Sequence, residues 1–178
     1  MMVRTIISSI LLMSVCMLGL TGIAFAEVDT GTQQQILDLK HQIIDLQNEG
    51  TLGAKNVTFC SEVVGPGMYT PLPSDVVADD VFYVYYEPEN PYTKREGGRY
   101  LIHLTQDLYI LDLEGNVLMG KENVLQFAYN TAIPVLDLYI TNTITLTDAP
   151  AGTYVWKAVL HDQLREESIE LTKKFIIE

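Results

Sequence analysis

The three histidines are the residues of this chain best suited to metal binding or acid–base chemistry. His41 lies in a helix-like segment, whereas His103 and His161 lie in strand-like segments, and no two of them have the spacing of a metal-ligand pair. His161 precedes Asp162, but no serine stands in the Gly-x-Ser-x-Gly setting of a hydrolase nucleophile. We therefore expect no catalytic residue, no metal ion and no cofactor, and we predict that the protein is not an enzyme.

Two acidic segments resemble calcium loops only in part. Asp112–Asn116 places acidic and amide side chains around a glycine, but it lacks the other ligand positions of an EF-hand loop. The same residue types are what a turn between two strands requires. Asp79-Asp80 is interpreted as the solvated start of a strand. Neither segment is predicted to bind a metal.

The segment over residues 83–98 has the most unusual composition, because tyrosines, acids and prolines follow one another. Tyrosine offers a rigid apolar ring with a polar hydroxyl, which suits stacking on sugar rings or contact with a peptide. The candidate binding loop consists of Tyr85, Glu87, Glu89, Asn90 and Tyr92. In the alternative interpretation Tyr83 and Tyr85 line one face of a sheet, Tyr86 packs into the core, and the segment has no binding role.

Residues 1–26 have the composition of a signal peptide. A basic residue is followed by an apolar run over residues 6–23, and Ala24-Phe25-Ala26 has the small-x-small pattern that signal peptidase cleaves. The alternative is an uncleaved anchor, since the run is at the lower limit for a membrane-spanning helix. We predict an extracytoplasmic protein, periplasmic or secreted, with no membrane contact after cleavage.

The two cysteines lie in different parts of the chain. Cys16 belongs to the leader, where a bulky Val15 disfavours lipid attachment, so cleavage leaves Cys60 alone. A single cysteine forms no internal disulfide. The strand-like run around Cys60 favours a buried thiol, with an intermolecular disulfide or a reactive thiol as the alternatives.

Residues 32–49 carry the clearest helical periodicity. The apolar positions Ile36, Leu39, Ile43 and Leu46 are spaced 3, 4 and 3, which is the a/d pattern of a coiled coil. Thr32 and Gln35 form a capping-box signature, and Gly50 is a natural helix end. A helix this short must pack against something. The partner is either the main domain or the same helix in a second copy, which would form a homo-oligomer. Residues 51–55 are predicted to be a hinge.

From residue 56 onward the sequence predicts seven β-strands separated by turns. They cover residues 57–64, 81–86, 100–111, 124–129, 137–146, 153–161 and 168–177. Apolar and polar residues alternate most clearly in the last two, so each strand buries one face. We predict an all-β antiparallel sandwich. The predicted domains are a signal peptide over 1–26, a helical segment with hinge over 27–55, and the sandwich over 56–178.

The last two strands follow a turn of the form Pro-x-Gly-x-Tyr, at Pro150-Ala151-Gly152-Thr153-Tyr154. This turn resembles the one before the next-to-last strand of bacterial immunoglobulin-like domains. The opening Phe59-Cys60-Ser61-Glu62-Val63-Val64-Gly65 is similar to that of a family of secreted bacterial proteins. The resemblance covers roughly residues 57–178. It implies an immunoglobulin-like sandwich in which Tyr154 is a tyrosine corner, and it implies no particular activity.

The overall charge is strongly negative. The chain has 178 residues, with 11 Lys and Arg against 23 Asp and Glu, for a formal net charge of -12. Since an acidic surface repels phosphates, we expect no nucleic-acid partner. The predicted function is an exported, non-enzymatic module that binds a protein or a glycan through its loops or a strand edge. The alternative is a structural or assembly protein of the cell envelope, oligomerised or tethered through the helix.

Overall fold

A computed structural model describes residues 29–77 and 81–178. The predicted signal peptide and the Asp79-Asp80 pair lie outside the described residues. The described chain is one α-helix followed by two packed β-sheets, which confirms an all-β sandwich preceded by a short helix. No helix among these residues has the length and apolarity needed to cross a membrane.

Helix α1 spans Thr30–Glu49 and begins two residues earlier than the sequence predicts. Its N-cap is Asp29, whose carboxylate accepts hydrogen bonds from the N–H groups of Gly31 and Thr32, and so satisfies two donors that the helix leaves free. Thr32, the expected cap, instead donates its hydroxyl to Asp29. These bonds, above all the one from the Thr32 hydroxyl, lower the pKa of the Asp29 carboxyl. Gly50 ends the helix as predicted.

All seven predicted strands are present, together with three short ones. The strands are β1 (Gly53–Gly65), β2 (Met68–Pro71), β3 (Val76–Val77), β4 (Val81–Glu89), β5 (Lys94–Glu96), β6 (Arg99–Leu111), β7 (Val117–Thr131), β8 (Ile140–Thr145), β9 (Gly152–Asp162) and β10 (Glu167–Ile177). The sequence misses β2, β3 and β5, which are only two to four residues long. Strand β1 begins inside the segment predicted to be a hinge, because Gly53 already pairs with Glu89.

The strands form two sheets. The smaller sheet has the order β2-β1-β4-β8, with antiparallel neighbours throughout. The larger sheet has the order β3-β10-β9-β6, and β5 and β7 also pair with β6. Its one parallel pair is β3 with β10. Strand β4 therefore lies inside the smaller sheet with neighbours on both sides, whereas β7 and β8 are edge strands.

The core lies between the sheets and is rich in aromatic residues. Phe59 and Phe82 of the smaller sheet meet Phe175 of the larger sheet, with ring centroids 5.2–5.7 Å apart. Trp156 is fully buried and packs against Tyr86 with centroids 6.1 Å apart. Burial of large aromatic rings is the main stabilising contribution of such a core.

A buried polar network also joins the two sheets. The Tyr86 hydroxyl of β4 donates to Gln106 Oε1 of β6 over 2.8 Å. Gln106 Nε2 in turn donates to Asn142 Oδ1 of β8 over 2.9 Å, and Asn142 Nδ2 returns a bond to Gln106 Oε1 over 3.2 Å. Burial raises the pKa of Tyr86, so its hydroxyl stays a donor. The three side chains thus satisfy one another in a region that water does not reach.

Helix α1 docks on one end of the sandwich through its C-terminal half. Ile44 is its one fully buried side chain among the described residues. His41 Nε2 lies 2.5 Å from the Tyr100 hydroxyl. Asn48 exchanges two hydrogen bonds with the backbone of Thr93, at 2.8 and 3.0 Å. The contact is therefore mainly polar, around a single apolar anchor.

Arg165, in the turn between β9 and β10, holds the helix end in place. Its guanidinium donates to the carbonyl oxygens of Asn48, Gly50 and Asn90, at 3.3, 2.6 and 2.6 Å. Its Nε lies 3.8 Å from the buried carboxylate of Asp162. One cation thus joins the helix end, the chain after β4 and the β9–β10 turn.

Tyr154→Phe is expected to lower the free energy of unfolding by about 0.5 kcal/mol, because the Tyr154 hydroxyl donates to the Pro150 carbonyl oxygen over 2.7 Å at a position that solvent also reaches. Urea denaturation measures the change. The matched control is Tyr129→Phe on the exposed side of β7, which should leave the midpoint in place. An unchanged midpoint for Tyr154→Phe would remove the tyrosine-corner interpretation.

Cys60 is expected to resist thiol reagents until the domain unfolds. It is free and fully buried, and burial raises the pKa of its thiol, which disfavours the reactive thiolate. Labelling with a chromogenic disulfide should therefore be slow in buffer and complete in denaturant. Stoichiometric labelling of the native protein within seconds would show that the residue is accessible.

Candidate binding groove on the outer face of the smaller sheet

Strand β4 presents the residues of the candidate loop on a regular sheet face. Phe82, Val84 and Tyr86 point into the core and are fully buried. Because side chains alternate along a strand, Tyr83, Tyr85 and Glu87 lie on the opposite face. Tyr83 and Tyr85 thus share one face of the sheet while Tyr86 packs into the core, as the alternative interpretation predicts. The same arrangement places Tyr83, Tyr85 and Glu87 on a concave surface.

The acidic end of this surface is a pocket of about 360 Å³. Four of the five residues of the candidate loop line it: Tyr85, Glu87, Glu89 and Asn90. Its other walls include Gln47 of α1, Lys55 of β1 and residues 136–138, which precede β8. Sequence reasoning missed these three contributions, because only the folded chain brings them beside β4.

Glu87 is held in one position by its neighbours. The Tyr85 hydroxyl donates to Glu87 Oε1 over 2.7 Å, and Asn56 Nδ2 donates to Oε2 over 3.2 Å. The Gly67 N–H in turn donates to the Tyr85 hydroxyl over 2.8 Å. Burial raises the pKa of Tyr85 to about 12, so its hydroxyl remains protonated and keeps donating. The carboxylate is thus preorganised without a ligand.

The charges of the acidic end are mostly negative. Lys55 Nζ lies 3.9 Å from Glu87 Oε2 and 3.6 Å from Glu89 Oε1. The Lys55 side chain is more than half exposed, so these ion pairs contribute little stability. Asp137 adds a further exposed carboxylate on the opposite wall. The acidic end offers a ligand many hydrogen-bond acceptors and one exposed cation.

The aromatic end is a wider depression of about 630 Å³ that lies further along the same strand. Its lining includes Ser61, Tyr83, Tyr139 and Thr141. Phe127 and Tyr129 of β7, an edge strand of the larger sheet, complete it. Both ends share the continuous segment 136–141 as a wall. We refer to the acidic end and the aromatic end together as the groove.

The rings around the aromatic end support one another. Tyr69, Tyr85 and Tyr139 form a column with centroid distances of 4.5 and 5.8 Å, and the planes of Tyr85 and Tyr139 are only 21° apart. Tyr139 ends this column and is 38% exposed. Phe127 and Tyr129 form a second pair with centroids 4.1 Å apart. The column fixes the orientation of the Tyr139 ring.

Tyr92, the fifth residue of the candidate loop, does not line the groove. Its N–H donates to Asp162 Oδ2 over 2.7 Å, and its ring lies 5.8 Å from the guanidinium carbon of Arg165. Tyr92 therefore belongs to the contacts that hold the helix end. The sequence places Tyr92 in the candidate loop only because it lies next to the other four residues along the chain.

The predicted helix interface faces away from the sandwich. Ile36, Leu39, Ile43 and Leu46 are between 39% and 67% exposed. The side of α1 that contacts the sandwich contains His41, Ile44 and Asn48 instead. Within the part of the chain that the structure describes, the a/d stripe thus has no partner.

His41 and His161 each contact a polar side chain of β6, namely Tyr100 and Asp107. His161 Nε2 pairs with Asp107 Oδ2 at 3.1 Å, whereas the neighbouring Asp162 caps the turn that follows β9. Burial alone would raise the pKa of Asp107, but the hydrogen bonds from the Asn123 N–H and His161 lower it. In the described ranges no three His, Cys, Asp or Glu side chains come together as a metal site.

No protein-family model and no curated protein matches the chain. Among solved structures it is similar to the Pseudomonas fluorescens alkylpurine DNA glycosylase AlkC bound to DNA containing an abasic site analog. That match has 8% identity and a TM-score of 0.40 over 82% of this chain, which spans about a third (36%) of the glycosylase. It is also similar to the putative ApaA protein of Bordetella pertussis, with 16% identity and a TM-score of 0.33 over 70% of this chain and 90% of that one.

The likeness to AlkC corrects two exclusions made from the sequence. The prediction that the protein is not an enzyme rested on missing motifs. The prediction that it has no nucleic-acid partner rested on the net charge. A solved structure to which the chain is similar is a DNA glycosylase bound to DNA, so neither exclusion is kept. The reason is physical: motifs and net charge describe the whole chain, whereas activity and binding depend on local surfaces. A TM-score of 0.40 assigns neither property to this chain.

Proposed function

We propose that the protein is an exported binding module whose ligand site is the groove. The observation that carries this proposal is the convergence of Tyr85, Glu87, Glu89 and Asn90 on one pocket with residues from α1 and the segment before β8. A pocket built from distant segments, with a carboxylate fixed by two hydrogen bonds, is typical of a ligand site.

We also propose that the sandwich is immunoglobulin-like. The order β1-β4-β8 in one sheet and β10-β9-β6-β7 in the other supports this proposal. The hydrogen bond from Tyr154 to Pro150 supports it as well, because a tyrosine corner at this place is a mark of the fold. Loops at one end of such a sandwich commonly carry binding residues.

The mode of binding follows from the position of β4. Both edges of this strand are paired, with β1 and with β8, so the floor of the groove offers no free backbone groups for strand addition. Recognition at the floor therefore depends on side chains, and only the first residues of the edge strand β8, Ile140 and Thr141, reach the wall of the groove. The volumes of the two ends, about 360 and 630 Å³, lie within the range of small-ligand sites.

Two unbiased libraries test the proposal: a glycan array and a phage-displayed random peptide library. Each is probed with the wild-type protein and with Asp137→Arg, which places a long cation at the wall of the acidic end. The matched control is Glu114→Arg, in the exposed turn after β6 at the opposite end of that strand from the helix. We expect a ligand that binds the wild type and the control and is lost with Asp137→Arg.

Two results would contradict this function. One is a ligand that binds all three proteins equally, since its site would lie outside the groove. The other is the absence of any ligand in both libraries at protein concentrations of about 100 µM, where millimolar to micromolar affinities are detected.

Export is tested separately on the full chain. When the gene is expressed in a bacterial host, we expect the protein in the extracytoplasmic fraction, with Glu27 as its first residue by N-terminal sequencing. A protein that keeps residues 1–26 and stays with the membrane pellet would support the anchor alternative instead.

The alternative function is assembly through the helix, and the exposed stripe Ile36, Leu39, Ile43 and Leu46 is the observation that favours it. Its a/d spacing is that of a two-stranded coiled-coil seam, so the partner would be a second copy. Sedimentation velocity should then show a dimer that Leu39→Lys abolishes. A monomer at every concentration would remove this alternative.

A further inference from the structure

We infer that the ligand of the groove is an oligosaccharide, an inference that rests on the proposed function and names its ligand class. The aromatic end supplies ring faces, and the acidic end supplies fixed hydrogen-bonding groups. The two ends lie side by side along β4 and the segment 136–141. A chain of sugar units has both an apolar ring face and a rim of hydroxyls, and so matches both ends at once.

Two exposed tyrosine rings at the aromatic end can stack on a sugar ring. Tyr139 is backed on one side by Tyr85 and is 38% exposed, and Tyr129 is 42% exposed. A ring held from behind loses little conformational entropy when a ligand covers it, so its contact area is available for binding. Tyrosine faces presented in this way match the apolar C–H face of a pyranose.

The polar side chains of the acidic end can form hydrogen bonds with sugar hydroxyls. A sugar hydroxyl both donates and accepts, so it needs acceptors and donors within the same pocket. Glu87, Glu89 and Asp137 supply carboxylate acceptors, and Lys55 supplies a donor. Glu87 already receives bonds from Tyr85 and Asn56, which fix its position as a ligand group.

A peptide fits the same surface less well. Peptides recognised on β-proteins commonly gain main-chain hydrogen bonds by pairing with a free strand edge. The groove has no such edge at its floor, because β4 pairs with β1 and β8. The exposed residues 117–121 of the edge strand β7 lie outside the groove and would serve a peptide better, so peptide binding should map there.

Isothermal titration with the strongest oligosaccharide from the array tests this inference. We expect Tyr139→Ala to weaken binding by about tenfold or more, because it removes the stacking face. Tyr139→Phe keeps that face and should stay within about threefold of the wild type. The matched control is Tyr109→Ala on β6 of the larger sheet, away from the groove, which should leave the affinity unchanged.

The outcomes separate this inference from the proposed function. If the only ligands lost with Asp137→Arg are peptides, the groove is a binding site but the oligosaccharide inference is wrong. The same holds if a glycan binds Tyr139→Ala as tightly as it binds the wild type. If no ligand depends on Asp137→Arg, the proposed function itself fails. Circular dichroism of each variant confirms that lost binding does not reflect unfolding.

Discussion

Arg165→Met is expected to detach α1 from the sandwich and to lower the free energy of unfolding by about 3 kcal/mol. The arginine donates to the carbonyl oxygens of Asn48, Gly50 and Asn90. Its removal also leaves the Asp162 carboxylate, only 1% exposed, without its cation. Breaking one half of a buried charged pair costs about 3–5 kcal/mol. Part of that cost is avoided here, because Asp162 keeps its bonds from backbone N–H groups.

Arg95→Met is the matched control. Arg95 also pairs with the helix, through Asp45, but both side chains are largely exposed, so the loss should be below about 1 kcal/mol. Urea denaturation gives the two stabilities, and amide hydrogen exchange reports the helix directly. In Arg165→Met the amides of α1 should lose protection while those of β6 and β9 keep it. Equal effects of the two substitutions would contradict the role assigned to Arg165.

Gln106→Leu is expected to destabilise the sandwich by about 3 kcal/mol. Leucine has a similar volume, so the main effect is to leave the Tyr86 hydroxyl and the Asn142 amide buried without partners. Each unsatisfied buried polar group costs about 1–3 kcal/mol. Thermal and urea unfolding should both show the loss.

The triple variant Tyr86→Phe, Gln106→Leu and Asn142→Leu distinguishes the network from simple packing. Removing all three polar groups leaves nothing unsatisfied, so we expect most of the stability lost in Gln106→Leu to return. If the triple variant is less stable than Gln106→Leu, the hydrogen bonds themselves hold the two sheets together, and the cost of unpaired polar groups is not the main effect.

The strands and the buried face of each strand could be predicted from the sequence, because alternation of apolar and polar residues determines both. The pattern in β9 and β10 places Trp156 and Phe175 in the core, where the structure has them. The exact start of β7 could not be predicted in this way. Its first residues, such as Leu118 and Met119, lie at an exposed edge where no burial pattern constrains them.

The groove could be predicted only in part. The tyrosines and acids of β4 attract attention through their composition, but composition does not separate Tyr85, which lines the groove, from Tyr92, which contacts Arg165. Gln47 and Lys55 carry no local signal for a site, since they reach it through the docking of α1 and the pairing of β1. The helix face that contacts the sandwich is mainly polar, so the apolar periodicity did not indicate which side of α1 packs on the sandwich.

Chemical-shift mapping of the isotope-labelled protein, titrated with the strongest ligand from either library, tests the central claim most directly. We expect shifts concentrated at Tyr83, Tyr85, Glu87, Asp137 and Tyr139, around both ends of the groove. Saturable shifts confined to residues 117–121 of β7 or to the exposed stripe of α1, with the groove unchanged, would contradict this claim.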